Sequence, residues 1–288
     1  MSRYDTVTFL SDYGRVDEFV GVVHSVIRSI APHAGIIDLT HDVAPYDVRA
    51  AGLVLARSAQ YLCPGVVLAV VDPGVGTDRR PIAVEVGGGQ SVLVGPDNGV
   101  LAPAVAMVGG ASRAVVLDDE QFHLPSPGPT FAGRDVFAPV VGNLCAGTPF
   151  EALGTAIDPL SLRPALMNLS RIEGDGVEGE VLWEDRYGNL QLNIDPDDVE
   201  AYGERITVRL GDRIRMARRV RTYAEIRTGE LGLVVDSYGM LALVADRASA
   251  AGELRIGAGD PVRLESAPDD NGADGVTVAV ELGTRRQP

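Results

Sequence analysis

An aspartate stands directly after an apolar run, and two arginines follow it within a few residues. The segment is VVLAVVDPGVGTDRRP (residues 66–81), in which Asp72 ends the run and Arg79 and Arg80 lie seven and eight residues further on. The Pro-Gly pair after Asp72 predicts a sharp turn, so either arginine can fold back toward the carboxylate. A fixed carboxylate–guanidinium pair can hold and polarise one water molecule, and the guanidinium favours the ionised carboxylate. An ion pair that only fastens the loop is the alternative.

Asp12 occupies a comparable place after the first predicted strand. In TFLSDYGRVDEF it follows Leu10 in a short loop that leads to a helical pattern. Ligands of open α/β sheets bind beyond the carboxyl ends of the strands. The Asp12 carboxylate can accept two hydrogen bonds at once, which suits a vicinal diol. An Asx turn or a helix N-cap is the alternative interpretation.

Polar residues also surround the strand-to-helix junction in DLTHDVAPYDVRAA. Asp47 is predicted to cap the helix that follows it. Tyr46 can flank a flat ligand or occupy an ordinary turn. His41, with Asp12 and Asp42, shows no metal-binding spacing, so we expect polar packing and no metal.

The segment PSPGPTFAGRDVFAPVVGNL runs from a proline-rich loop into a helix predicted to begin near Arg134. Helix N-termini present free N–H groups. Phe131, Ala132 and Gly133 would therefore face any molecule bound there, and Phe131 and Gly133 are candidate substrate contacts.

Two segments of the second half carry polar groups at Gly-containing turns. WEDRYGNLQLNI places Asp185, Tyr187 and Asn189 together, and VVDSYGMLAL places Ser237 and Tyr238 together. An asparagine offers the donors and the acceptor that recognise a purine edge. An aspartate can pair with a ligand ammonium, and a serine with nearby N–H groups can hold a carboxylate. Each segment, taken singly, is also typical of an ordinary turn.

Strand and helix patterns alternate in the first half of the chain. Strands are predicted at 6–10, 34–40, 66–71, 81–86, 91–95 and 113–117, and helices at 16–30, 47–62, 99–110 and 134–147. This alternation predicts an α/β domain, residues 1–165, with a largely parallel sheet and flanking helices. After residue 165, short strands are separated by Gly, Asp and Asn turns, which predicts an all-β, barrel-like domain over residues 172–288. The polar, Gly-rich segment 267–275 is predicted to be flexible.

Composition restricts the class of protein. The 288 residues are 45% hydrophobic and 23% charged, as in globular proteins. A formal net charge of −15 repels phosphate backbones, so nucleic acid is not expected as a partner. No apolar run is long enough to cross a membrane, and no signal peptide precedes the first strand, so we expect a cytoplasmic protein. Cys63 and Cys145 lie in apolar contexts and are expected to be buried thiols.

The segments LSDYG, DLTHDVAPYDV, VVDPGVGTDRR, PTFAGRDVFAP, DRYGNLQLNI and DSYGMLAL, in this order, resemble one family. It is the S-adenosylmethionine (SAM) hydroxide adenosyltransferases, or SAM hydrolases, which are related to SAM-dependent fluorinases and chlorinases. The resemblance implies an N-terminal α/β domain and a C-terminal barrel-like domain. It also implies homotrimers in which one subunit's N-terminal domain and its neighbour's C-terminal domain form each site. The implied reaction is hydrolysis of the substrate SAM to adenosine and L-methionine by water or hydroxide at the ribose C5′, with no cofactor.

The resemblance also implies a role for individual residues. Asp72 and Arg79 would position the attacking water, Asp12 would bind the ribose hydroxyls, and Tyr46 would line the sugar and methionine region. The contacts implied in the barrel domain are adenine for Tyr187 and Asn189, the methionine ammonium for Asp185 and the methionine carboxylate for Ser237, with Tyr238 beside it.

One position departs from the family pattern. The hydrolases carry a histidine in TFHGRD, which completes an Asp–Arg–His set, and this chain has Ala132 there. A methyl group cannot orient or deprotonate water. Either Asp72 and Arg79 suffice at a reduced rate, or another group enters, or this position has been altered by evolution or by engineering. A non-catalytic SAM or adenosine binder is therefore one alternative, and a SAM-dependent chlorinase is another. The fluorinase pattern carries an aromatic residue at the position of Asp72, and a carboxylate there would repel a halide, which favours water.

Overall fold

Two compact units make up the chain, residues 1–167 and residues 168–288. They are seen in a computed structural model that describes residues 4–165 and 168–268. The bounds 1–165 and 172–288 stay a prediction. Most of the segment for which flexibility was predicted falls in residues 269–288, outside the described part of the chain.

A mixed seven-stranded sheet forms the first unit, which confirms the predicted α/β class. Its order is β2-β1-β3-β5-β4-β6-β7, and β2, β1, β3 and β5 run parallel to one another. The pairs β4–β5, β4–β6 and β6–β7 are antiparallel rather than parallel. For β4 and β5 the reason is that only residues 87–90 join them, whereas a parallel connection needs a dozen or more. The strands are β1 (Thr6–Ser11), β2 (Gly35–Thr40), β3 (Val66–Val70), β4 (Pro81–Val86), β5 (Ser91–Pro96), β6 (Ala111–Val116) and β7 (Thr155–Ile157).

Four α-helices lie in the described residues of this unit, 4–165: α1 (Phe19–Ile30), α2 (Val48–Ser58), α3 (Ala102–Met107) and α4 (Ala138–Ala146). The first two are the crossovers between the parallel strands. Asp47 caps α2 as predicted, because its Oδ1 accepts a hydrogen bond from the Ala50 N–H at 2.8 Å. One π-helical turn, Gly133–Phe137, precedes α4. No helix in the ranges 4–165 and 168–268 is both long and apolar enough to cross a membrane.

Side chains from the sheet and from α4 form the core of the first unit. Phe9, Phe137 and Phe150 are fully buried in it, and burial of such a side chain stabilises a fold by about 1.5–3 kcal/mol. Cys145 also lies in this core, where burial raises the pKa of its thiol to about 12. Cys63 is exposed, contrary to our expectation, because it follows the surface turn that ends α2.

A closed seven-stranded barrel forms the second unit, which confirms the predicted class. Around the barrel the order is β10-β14-β13-β12-β11-β15-β9, and pairing of β9 with β10 closes the ring. Closure leaves no free strand edge in the ring. The elements are β8 (Arg171–Glu173), which extends the sheet beside β9, then β9 (Gly176–Glu184), β10 (Leu190–Leu192), β11 (Arg205–Leu210), β12 (Arg213–Arg219), β13 (Leu231–Val235), β14 (Leu241–Ala245), α5 (Ala250–Leu254) and β15 (Pro261–Ser266).

Candidate active site

Asp72 and Arg79 form a buried ion pair just beyond the end of β3. The Asp72 side chain is 6% exposed and that of Arg79 is 10% exposed. Arg79 Nε donates to Asp72 Oδ1 at 2.8 Å, and Arg79 NH2 contacts Asp72 Oδ2. The loop turns back as the Pro-Gly pair predicted, with the Val75 N–H donating to the Asp72 carbonyl at 3.2 Å. Such a two-point contact fixes the carboxylate and the guanidinium relative to each other. It is also stronger than a single hydrogen bond between neutral groups.

Arg80, the other arginine of the motif, has a different partner. Its Nε donates to Asp97 Oδ2 at 2.9 Å, and its NH2 donates to the Ser161 carbonyl at 2.7 Å. The sequence left both arginines open as partners of Asp72, and the structure assigns Arg79. Arg80 fastens the start of β4 to neighbouring loops.

The Arg79 guanidinium packs over the aromatic ring of Phe137. The guanidinium carbon lies 5.3 Å from the centre of this fully buried ring. A guanidinium over an aromatic face is attracted by the ring and loses freedom to rotate. The ring therefore helps to hold Arg79 in place, and Arg79 holds Asp72.

A cavity of about 330 Å³ opens beside Asp72. It contains five residues that we predicted to bind or act on a ligand, together with the alanine at the family histidine position. Because the ends of β1 and β3 and the start of the π-helical turn meet here, residues far apart in the sequence become neighbours. The lining residues are Asp12, Tyr13, Phe19, Pro45, Tyr46, Asp72, Val75, Thr130, Phe131, Ala132 and Gly133.

Asp12 is bonded to the loop that carries Tyr46. Its Oδ2 accepts a hydrogen bond from the Tyr46 N–H at 2.9 Å. Tyr46 has a φ of +69°, a backbone conformation that residues other than glycine adopt only at a cost in free energy. Asp12 therefore stabilises an unfavourable backbone conformation that keeps an exposed tyrosine at the mouth of the cavity.

Three aromatic rings form one wall of the cavity, and sequence reasoning missed two of them. Tyr13 lies 5.7 Å from Phe131 and 5.5 Å from Phe19, and Phe19 lies 5.0 Å from Phe131, all centre to centre. Burial raises the pKa of the Tyr13 phenol, and the neighbouring Asp12 and Asp72 raise it further. Tyr13 is thus a neutral hydrogen-bond donor beside two carboxylates. Its place next to Asp12 in the LSDYG segment was the signal that could have identified it.

Ala132 lies between this cavity and a second one of about 770 Å³. Arg79, His123 and Asp135 are among the residues that line the second cavity. His123 does not line the cavity beside Asp72, and its Nε2 is buried without a hydrogen-bond partner among the described residues. Ala132, the residue just before the π-helical turn, therefore lines both spaces.

The DRYGN turn of the second unit is organised by Asp185. Its Oδ1 accepts hydrogen bonds from the N–H groups of Tyr187 and Asn189 at 2.8 and 2.9 Å, and its Oδ2 accepts one from Asn189 Nδ2 at 2.8 Å. The ordinary turn that the sequence left open is thus present. Tyr187 projects from it with 78% of its surface exposed.

The DSYGM turn repeats this construction. Asp236 Oδ1 accepts hydrogen bonds from the N–H groups of Tyr238 and Met240 at 2.8 and 3.0 Å, and its Oδ2 accepts one from Gln191 Nε2 at 2.6 Å. Gly188 and Gly239 both have a φ of +78° at the same place in their turns. Ser237 and Tyr238 are exposed. Sequence reasoning missed this duplication, which the shared D-x-Y-G pattern could have shown.

The aspartates of both turns affect the pKa of the Tyr223 phenol. Partial burial raises the pKa of its phenol, and the carboxylates of Asp185 and Asp236 raise it further. This half-exposed tyrosine was not among our candidates. Tyr223 adds an aromatic face to the tyrosines of the two turns, and flat ligands stack on such faces.

Family models and individual relatives of this chain point to the same protein family. Residues 7–154 match the SAM hydroxide adenosyltransferase N-terminal domain, and residues 179–263 match the C-terminal domain. The (R)-S-adenosyl-L-methionine hydrolase of Salinispora tropica is 41% identical over 258 residues, which are 90% of this chain and 97% of that protein. The enzyme of the same name from Salinispora arenicola is 40% identical over 92% of this chain and 99% of its own.

Two proteins of lower sequence identity also match over about 90% of this chain. The fluorinase of an Actinoplanes species is 27% identical over 91% of this chain and 97% of its own. The crystal structure of an uncharacterized conserved protein from Thermotoga maritima superimposes with a TM-score of 0.82 at 34% identity, over 90% of this chain and 99% of that chain. The chain is thus more similar to these hydrolases than to this fluorinase.

Proposed function

This chain belongs to the SAM hydroxide adenosyltransferase family, and we propose that it is an enzyme that hydrolyses SAM to adenosine and L-methionine. The observation that carries the proposal is the Asp72–Arg79 pair, whose carboxylate lines the cavity that Asp12 also lines. A rigid, ionised carboxylate beside a space for a sugar can direct a water molecule toward C5′. A halide would be repelled by the same carboxylate.

The proposed step is an in-line displacement at the ribose C5′. The oxygen of water or hydroxide forms a bond to C5′, the C5′–S bond breaks, and its electron pair neutralises the sulfonium to give methionine. The water loses one proton, for which Asp72 is the candidate acceptor. An attacking hydroxide and a sulfonium cancel their charges in the transition state, and a dry pocket favours that step over the separated ions. Water and SAM supply all the atoms, so we propose that no cofactor takes part.

Positioning contributes more to this mechanism than basicity does. The two-point contact with Arg79 engages both oxygens of the Asp72 carboxylate and fixes its orientation. Holding the reacting atoms in line removes much of the entropic barrier. Asp12 is proposed to bind the ribose hydroxyls, and Tyr46, Phe131 and Gly133 to contact the substrate.

Residues of the second unit are proposed to hold the rest of SAM. Tyr187 and Asn189 would bind adenine, Asp185 the methionine ammonium, and Ser237 with Tyr238 the carboxylate. Because Asn189 Nδ2 donates to Asp185, we propose that its Oδ1 accepts a hydrogen bond from the purine amino group.

We further propose a cytoplasmic homotrimer in which the first unit of one subunit and the second unit of its neighbour share each substrate. Complementation tests this: Asp72→Ala and Asn189→Ala variants, each of low activity, are co-expressed. Mixed trimers regain activity only if the two residues act on one substrate from different subunits. Mixtures no more active than either variant, or a monomer in sedimentation, would contradict the assembly.

The reaction itself is tested by incubating the protein with SAM in ¹⁸O-labelled water. Adenosine and methionine should appear in equal amounts, with the label in the adenosine 5′-hydroxyl. A 5′-chloro-5′-deoxyadenosine product that depends on chloride would instead indicate a chlorinase. Bound SAM without any product after long incubation would indicate a binder, the alternative that Ala132 favours.

A further inference from the structure

Two imidazoles and a carboxylate meet where α1 lies beside the end of β2, outside the set of residues that line the cavity beside Asp72. One nitrogen each of His24 and His41 and one oxygen of Asp38 lie within 4.8 Å of one another. His24 Nε2 is 2.8 Å from Asp38 Oδ1, and His41 Nε2 is 3.0 Å from the same oxygen. None of the three residues lines the cavity beside Asp72.

A β-bulge in β2 brings Asp38 and His41 together. Phe9 pairs with Asp38 but Leu10 pairs with Thr40, so Leu39 is an extra residue in β2. Without it, residues three apart along a strand would point to opposite faces. Bulges often redirect side chains at functional sites.

The two ring nitrogens of His41 have different surroundings among the described residues: Nδ1 contacts a hydroxyl group, and Nε2 has no hydrogen-bond partner. The residue is 1% exposed, and its Nδ1 lies 2.8 Å from Ser11 Oγ. Its Nε2 is buried and has no hydrogen-bond partner among the described residues, although Asp38 Oδ1 is 3.0 Å away. The Nε2 direction therefore passes beside the carboxylate oxygen.

The distances fit a small cation with little rearrangement. In a tetrahedral site with bonds of about 2.1 Å, neighbouring ligand atoms are about 3.4 Å apart. The two N–O separations of 2.8 and 3.0 Å need to open by about 0.4–0.6 Å to reach that value.

The surroundings also resemble those of metal-binding histidines. Both rings pack on the buried ring of Phe9, with centres 4.6 Å away for His41 and 6.0 Å for His24. Ser11 can accept the Nδ1–H of His41, which leaves Nε2 as the metal-binding atom, and such outer partners are usual for metal-ligating histidines. The His24 and Asp38 side chains are about one third exposed, so an ion can enter.

We propose that His24, Asp38 and His41 bind one divalent transition metal of the Zn²⁺ class, with solvent as the fourth ligand. Two imidazoles and one carboxylate select Zn²⁺, Co²⁺ or Ni²⁺ over Mg²⁺ or Ca²⁺, which prefer oxygen ligands. The ion joins α1, β2 and the following loop, and the His41 carbonyl accepts the Gly14 N–H at 2.8 Å. It therefore stabilises the scaffold behind the Asp12 loop and takes no part in the displacement at C5′.

The test uses tag-free full-length protein from which metal has been removed by a chelator. Co²⁺ is titrated and followed by its visible ligand-field absorption, and Zn²⁺ is titrated by calorimetry. One equivalent should bind, and His24→Asn and Asp38→Asn should each weaken binding by about tenfold or more, since even loss of an outer partner costs about 10–100-fold. The matched control is His33→Gln, because His33 faces a single carboxylate, Asp5, at 4.0 Å. It should bind like the parent.

Parent binding no tighter than that of His24→Asn would overturn the proposal, as would loss of binding in His33→Gln. If the variants do not fold, X-ray absorption on the Zn²⁺-loaded parent decides the matter. Two imidazole ligands are expected, and one or none would refute the assignment. These measurements do not depend on SAM hydrolysis.

Discussion

The Tyr13 hydroxyl packs so closely against Gly133 that no side chain fits at position 133. A Cβ built on Gly133 would lie 2.1 Å from Tyr13 Oη. The glycine is therefore needed for contact with Tyr13, quite apart from any contact with substrate. Through this contact the start of the π-helical turn sets the position of the aromatic wall beside Asp12.

Gly133→Ala should displace Tyr13 and distort the cavity. Overpacking of this kind costs about 1–3 kcal/mol of folding free energy. We expect kcat/KM for SAM to fall by about tenfold or more, corresponding to about 1.4 kcal/mol. Gly128→Ala is the control, because a Cβ there meets no atom within 4 Å. Equal kinetics for the two variants would show that the Tyr13 contact does not matter.

Asp72→Ala should lower turnover much more than SAM affinity. Loss of a positioned proton acceptor costs about 10²–10⁴-fold in rate. Asp97→Asn is the matched control, since Asp97 is equally buried and paired with Arg80 but lies outside the cavity. It should lose thermal stability while keeping kcat per folded molecule. An Asp72→Ala enzyme with the parent kcat would remove Asp72 from the mechanism.

Ala132→His should raise kcat. The position faces the spaces on both sides of the π-helical turn, so an imidazole there reaches the region of Asp72 and Arg79. We expect an increase of up to about 10²-fold, the lower end of what general acid–base groups contribute. Ala132→Leu fills the same space without a titratable group and should not accelerate the reaction. An unchanged or lower rate in Ala132→His would mean that no group is lacking here.

Asp12→Ala should raise KM for SAM more than it lowers kcat. The variant loses the proposed ribose contact and also the bond that holds Tyr46 at its positive φ. Hydrogen bonds to a charged group contribute about 1.5–3 kcal/mol, or roughly 10–100-fold in KM. Asp47→Ala, which removes the α2 cap beside the same loop, should reduce stability by about 1 kcal/mol and leave KM unchanged. A KM effect in Asp47→Ala as large as that in Asp12→Ala would contradict a ligand contact.

Gly188→Ala should destabilise the barrel more than Gly239→Ala. Both glycines have a φ of +78°, so both variants incur a backbone cost of about 1–2 kcal/mol. A Cβ on Gly188 would also lie 2.1 Å from Ser249 Oγ and 2.9 Å from Ser249 Cα, whereas a Cβ on Gly239 meets no atom within 4 Å. The difference between the two unfolding free energies, measured in urea, isolates the steric part. No difference would mean that α5 moves aside freely.

Local patterns were enough to predict most elements and the class of both units. The apolar runs at β3 and β4, the Asp47 cap and the Pro-Gly turn after Asp72 all depend on neighbours in the chain, and each is observed. Helix ends were less predictable: α3 covers Ala102–Met107 within the expected 99–110. The antiparallel half of the first sheet was missed because strand direction depends on the length of the β4–β5 connection.

The sequence by itself determined the chemical groups at the strand ends and the order of the motifs, because strand periodicity and turn residues act over a few positions. Only the tertiary structure decided which groups meet. It paired Asp72 with Arg79 rather than Arg80, placed Tyr13 against Gly133, and turned His41 toward Asp38 and His24 rather than Asp12 and Asp42. The first choice depends on side-chain reach within one loop. The contacts of Tyr13 with Gly133 and of His41 with His24 join segments that are distant in sequence, so no local pattern reveals them.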